Sequence, residues 1–391
     1  MRDEAAHGIV RLLSRPVWRG SDAAPVLRTA LNDLLADQNA VVRMQAAQGL
    51  QLLGENPPDA AGMVAAVHDR LLNESEPLVL SVLLDILRRA VAQAPQDVDT
   101  LLKEFAASPQ GAFLADPTSR SESHGREPAA DPWTGRDVTV DMTAPMLVFL
   151  AVVIGTPFAS QRLTTWFAKP LLYINRVETL VDQLRPYLNA VDGQGQETAF
   201  GLLTDAAFTA QSVWQAVAAE ALSSGAHSPE PTATANAGSA ARVAHEVAQQ
   251  LYFASGAFDE KPGVAREPVE RGDAAIFARH ALPLLRTLGS VQHPQVTHPV
   301  VETLVHLSPT DPREALLANA GAIPDRGPYL AESIAAAVVV PYLTRLLAEH
   351  RDLVLGDREC TNAFRHLLQG FAGAGHPDAL ALAYTFSDVF R

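Results

Sequence analysis

Histidines, one cysteine and a basic–aromatic spacing are where this chain could do chemistry. His293, His298 and His306 fall in HPQVTHPVVETLVH. Zinc needs three or four ligands converging at about 2 Å. Two of these histidines precede prolines near a helix start, the third sits about two turns beyond His298, and no cysteine stands near them. They read as solvated turn and helix-end side chains, and no metal is expected. Cys360 and His366 invite a nucleophile–base pairing. Six residues on a helix separate them by about 240°, so they cannot bond within that helix, and a lone cysteine commonly serves as a small core residue. Neither the P-loop pattern nor a strand-led GxGxxG occurs. Gly193-Gln194-Gly195 is an isolated turn, and no cofactor is expected.

Two features could bind rather than react. Arg162, Trp166 and Lys169 follow one another at spacings of four and three, which puts them on one helix face, a strip that could meet an acidic partner or a phosphate. The plain alternative is a solvated face. Trp133 is the one large aromatic residue in a polar, proline-bearing stretch. It could anchor a partner, or bury against its own helices as most tryptophans do.

Composition limits the partners. The 391 residues carry a net charge of −14, which opposes non-specific nucleic-acid binding because phosphate neutralisation needs clustered positive charge. Hydrophobic residues make up 48% and aromatic ones only 6%, so alanine, which favours helices and lets them pack closely, supplies much of the apolar surface. The wealth of Ala, Arg, Gly and Pro suits a GC-rich bacterial genome. Cys360 is the only cysteine, no intrachain disulfide can form, and a cytoplasmic location is expected. The N-terminus MRDEAAHGIVRLL lacks the apolar core of a signal peptide. The run Ala144–Ile154 is eleven residues, about half of what a membrane span needs, so a buried helix is expected there and no membrane role.

The elements that must position these residues read as helices throughout, so an all-α fold is predicted. Residues 1–107 form an N-terminal block of helical pairs. Pro25–Leu35 pairs with Val41–Leu53, with Gly54 as the stop. Glu76–Ala94 is apolar almost all round apart from Ser81, Asp85, Arg88 and Arg89, the pattern of a helix buried between neighbours. Periodicity vanishes over 108–141, a flexible insertion or functional loop. Helices resume over 142–222, where Pro145 and Pro170 suit first turns and Ile174, Val177, Val181 and Leu184 form an apolar stripe. Residues 223–272 have linker composition around one short helix, Arg242–Phe253. A C-terminal helical block occupies 273–391. There Asp311, Pro312 and Glu314 make a capping box, Tyr329–His350 is a long helix kinked at Pro341, and Gly370 ends a helix begun at Asp357.

The stretch Asp37–Gly54, DQNAVVRMQAAQGLQLLG, sets Val42, Ala46, Leu50 and Leu53 on one face, with Arg43 beside Val42 and Ala46–Ala47 where another helix could come close. It resembles the second helix of a HEAT-type repeat, a helix pair that stacks on copies of itself. Leu35 and Leu72 are offset by about 37 residues, near that period. The resemblance implies a degenerate HEAT-like (armadillo-type) superhelix interrupted by long irregular insertions. It also implies that Asp37 and Arg43 make polar contacts between successive repeats. Tyr329–Arg391, with LLAEHRDLVLGDREC and a final AYTFSDVFR, is similar to the terminal helices of very large bacterial proteins in which a HEAT-like region follows an ATP-binding core. That similarity implies a helical arm, or a relic of one.

The function expected from these observations is a non-enzymatic scaffold that binds another protein, or the helical arm of a larger assembly. Two alternatives stand beside it. A helical enzyme could gather His245, Glu246 and Asp273 from distant helices into a pocket. A local arginine surface could bind nucleic acid weakly, in the HEAT-like manner.

Overall fold

The computed structural model describes residues 2–19, 21–53, 60–115, 138–189, 193–223, 231–259, 271–325 and 327–386. Among them stand twenty α-helices and no strand, so the fold is all-α. The chain divides into two compact units, Met1–Trp166 and Phe167–Arg391.

The first unit holds α1 (Arg2–Leu13), α2 (Pro16–Arg19), α3 (Ala24–Leu35), α4 (Ala40–Leu53), α5 (Ala60–Asn73), α6 (Pro77–Ala90) and α7 (Pro95–Ala107). A 3-10 turn at Ala112–Leu114 follows, then α8 (Val138–Val148), a π-helical turn at Phe149–Ile154, and α9 (Pro157–Ala168), which belongs to this unit as far as Trp166. α3 packs on α4 and α5 on α6, while α4 touches α6, α6 touches α8, and α5 touches α7. Partners therefore alternate along the chain. α6 opens on Pro77 and buries Val79, Leu80, Leu83, Leu84, Ile86, Leu87 and Ala90, which lets α4, α5 and α8 all rest on it. On α4 the residues Val42, Ala46, Ala47 and Leu50 are buried, and Leu53 ends the helix. Gly49 lets α3 and α4 approach, because a Cβ there would stand 2.7 Å from a methyl of Leu31.

The second unit holds α10 (Ile174–Leu188), α11 (Gln194–Ser223), α12 (Pro231–Ser255), α13 (Arg271–Gly289), α14 (Pro294–Leu307) and α15 (Pro312–Ala322). After these come α16 (Pro328–Ala331), α17 (Ser333–Glu349), α18 (Arg351–Gly356), α19 (Arg358–Gly373) and α20 (Pro377–Thr385). α10, α12, α14 and α17 touch in succession, and so do α11, α13, α15 and α19. The two series pack on one another as layers, through contacts such as α11 on α12 and α13 on α14. Val177, Val181 and Leu184, three of the four stripe residues, are fully buried on α10.

Several boundaries differ from the sequence prediction. The segment expected to be a linker with one short helix contains α12, 25 residues long. Its alanines (Ala240, Ala241, Ala244 and Ala248) are buried, as are Ala199, Ala206, Ala207 and Ala210 of α11. Small side chains of this kind let two helix axes come close. The predicted insertion shrinks at both ends: Phe113 packs edge-on against Phe105, and α8 begins at Val138. Pro145 lies inside α8, and Pro170 lies in the turn before α10. The predicted Tyr329–His350 helix breaks at Glu332, which is extended, and Pro341 sits inside α17. α19 continues through Gly370. Asp311 caps α15 as the capping box predicts, its carboxylate accepting from the Glu314 N–H at 3.0 Å. Gly54 lies outside the described residues.

No single described helix is long and apolar enough to cross a membrane. Val140–Ile154 and Pro157–Ala168 reach that apolar length only together, and they meet at a 109° bend. In the run Ala144–Ile154, Ala144, Met146, Leu147, Val148, Leu150, Ala151 and Val152 are buried in the unit's own core.

Candidate interaction surface

The basic–aromatic strip does not form a surface. Trp166 is only 1% exposed and shares the core with Ala159 and Leu163. The Arg162 guanidinium lies 5.3 Å from the centroid of the Phe158 ring and donates to the Ala115 carbonyl at 3.4 Å. Lys169 is exposed just past the end of α9. Helical spacing did align Arg162 with Trp166, but that face turns inward because Trp166 is the largest apolar side chain on the helix. Trp133 lies outside the described residues.

Around Arg43 the structure builds a buried joint. Arg43, near the start of α4, donates from Nε and Nη2 to both carboxylate oxygens of Glu74, at 2.8 and 2.9 Å. Its Nη1 donates to the carbonyls of Asp37 and Gln38 at 2.9 and 3.0 Å. Glu74 also accepts from Arg70 and from the N–H groups of Ser75 and Glu76, which precede α6. Burial pushes the Glu74 carboxyl up, but the hydrogen bonds from Arg43, the Glu76 amide and Arg70 outweigh it, so it titrates below the usual range. Asp37 accepts from the Asn39 N–H and from Arg2. The joint ties the α3–α4 turn to the α5–α6 turn. Glu74 has no local sequence signal, since it stands 31 residues from Arg43.

The histidines disperse. His293 meets the Trp214 ring edge-on at 5.5 Å, and its titration is pushed down by burial and by nearby His245. His298 Nε2 lies 3.2 Å from Glu302. His306 is buried near Gly256. Among the described residues no group of three or more His, Cys, Asp or Glu side chains is arranged to hold a metal ion. His245 donates through Nδ1 to the Gln295 carbonyl at 2.9 Å, Glu246 is half-buried beside it, and Asp273 lies in the first turn of α13. Cys360 is buried, and burial pushes its thiol up. His366 turns away to the Ile323 carbonyl at 3.1 Å and to Asp325 at 3.0 Å.

What spacing alone did not single out is an aromatic cluster in the second unit. The last turn of α12 carries Tyr252 and Phe253, and Gly256, at φ 83°, reverses the chain so that Phe258 folds back onto both. The ring centroids lie 5.6 Å (Tyr252–Phe253), 6.1 Å (Tyr252–Phe258) and 5.2 Å (Phe253–Phe258) apart, the last two edge-to-face. Phe258 is 61% exposed, and the other two rings are half-buried. The Arg185 guanidinium, from the last turn of α10, sits 5.5 Å from the Phe253 centroid. The Asn189 amide, just past α10, donates to the Ala254 carbonyl at 2.6 Å and so sets the C-terminal ends of α10 and α12 side by side. Helix C-termini carry partial negative charge. The available signal was YFASGAF, three aromatics in seven residues around a glycine, in a chain that is 6% aromatic.

No protein-family model matches the chain, and no curated protein matches it. A solved structure described as an engineered protein aligns over 95% of this chain and 95% of its own, at 17% identity and a TM-score of 0.28, too low a likeness to carry any conclusion about the fold.

Proposed function

We propose that this chain is a non-enzymatic scaffold of degenerate HEAT-like helix pairs that binds another protein. The observation that carries the proposal is the alternation of contacts within each unit. Alternate helices touch, as α4, α6 and α8 do in the first unit and α10, α12 and α14 in the second, while neighbours such as α3 and α4, α5 and α6, α11 and α12, and α13 and α14 pack as pairs. Stacked pairs of this kind make extended surfaces suited to macromolecular partners. The Arg43–Glu74 joint supports the same reading, because it links one helix pair to the next. A cytoplasmic site of action accords with the single cysteine, Cys360. The test is affinity purification of the full chain from its own cells, followed by mass spectrometry and a direct binding measurement with the purified candidate. A partner that binds saturably in purified form is the expected result. Failure of every candidate to bind when purified would overturn the proposal.

A further inference from the structure

We infer that the edge where α10 and α12 end is a docking site for an arginine-bearing segment of a partner protein, an inference that rests on the scaffold reading above. Three observations converge there. Tyr252, Phe253 and Phe258 form one contiguous ring cluster, of which Phe258 is mostly exposed. Aromatic faces attract cations, and guanidinium groups stack on them especially well. Within the molecule a guanidinium already takes this position, since Arg185 lies 5.5 Å from the Phe253 centroid. Around the rings the surroundings favour positive charge. The C-terminal ends of α10 and α12 meet through Asn189 and Ala254, and each contributes the negative end of a helix dipole. Asp182, 3.8 Å from Arg185 on the same helix, offsets the positive charge that Arg185 brings to this edge. The net charge of −14 adds long-range attraction for a basic segment. An acidic peptide would meet repulsion from the same features.

The occupant therefore combines positive charge with a flat face able to lie on Phe258. Arginine has both, whereas lysine offers only a compact charge. Arg185 competes for the Phe253 ring, which fixes the sign of a second test. Replacing it exposes another aromatic face and makes the chain more acidic by one unit.

Fluorescence anisotropy of the full chain with a labelled Arg-Gly repeat peptide tests this, with the matched Lys-Gly and Glu-Gly peptides as comparators. The arginine peptide should bind tightest and the glutamate peptide not at all. Phe258→Ala should weaken arginine-peptide binding roughly two- to five-fold, the effect of losing one exposed cation–π contact, and Arg185→Ala should strengthen it. Thermal melting of both variants checks that they remain folded, which is expected because both side chains are exposed. Equal affinity of wild type and Phe258→Ala for the arginine peptide would overturn the inference, as would weaker binding by Arg185→Ala. The scaffold reading fails separately: a purified partner that binds wild type and Phe258→Ala alike would keep the scaffold and remove this edge from it.

Discussion

Arg43 and Glu74 show what one buried residue pair does in a stacked helical chain. Both are withdrawn from water, so each depends on the other for compensation. Glu74 has no exposed surface, and it holds two arginines and two backbone N–H groups at once. Replacing Glu74 with alanine leaves Arg43 buried without its counter-charge and should cost about 3–5 kcal/mol. Urea denaturation reads this directly, and a cost below about 1 kcal/mol would demote the joint to an ordinary surface pair. Because the folded Glu74 titrates below its unfolded value, its contribution is present above the ordinary carboxylate range and is lost as pH falls through the folded value. Sequence inspection identified Arg43 and its turn, but not Glu74, because only the packing of α6 on α4 and of α5 on α6 brings that side chain near.

At the scale of elements, small residues decide which helices can touch. Gly289 closes α13, and a Cβ there would stand 2.8 Å from the Cβ of Ala322 at the end of α15. Ala322 has no flexible side chain to yield. Gly289→Ala should therefore force the two helices apart and destabilise the second unit by about 1–2 kcal/mol, after allowing for alanine's better helix propensity. A calorimetric melt unchanged from wild type would refute this. The same small-residue logic explains what was and was not legible in the sequence. α4 and α6 were readable because large apolar side chains recur at helical spacing in both. α12 was not, because PTATANAGSAA has the composition of a linker. Its alanines become core only when α11 and α14 lie against them.

For the molecule as a whole, two histidines should pull stability in opposite directions as pH changes. His293 in the second unit has its titration pushed down by burial and by His245. Its contribution is present above the ordinary histidine value of about 6.5 and is lost as pH falls through the lower folded value. His68 in the first unit is raised by its hydrogen bonds to Asp69 and Glu104, at 2.8 and 2.7 Å. Its contribution is present below about pH 6.5 and is lost as pH rises through the higher folded value. Melting curves between pH 5 and 8 should show His293→Asn losing less stability than wild type on acidification, and His68→Asn losing the low-pH gain. The same response from both variants would refute this assignment of signs. The His68 effect should be the smaller, since that side chain is partly solvated.

The sequence by itself determined that the chain is helical, which residues start many of its helices, and that Arg43 lies in a turn between two of them. These are local properties, set by 3.6-residue periodicity, proline and capping chemistry over a few turns. Only the tertiary structure decided that Trp166 faces the core, that α12 is a buried helix, and that Glu74 completes the Arg43 joint. It also decided that Phe258 returns to Tyr252 and Phe253 at an edge where two helices end. Each of these depends on which distant helix covers a given face, and neither spacing nor composition along the chain carries that information.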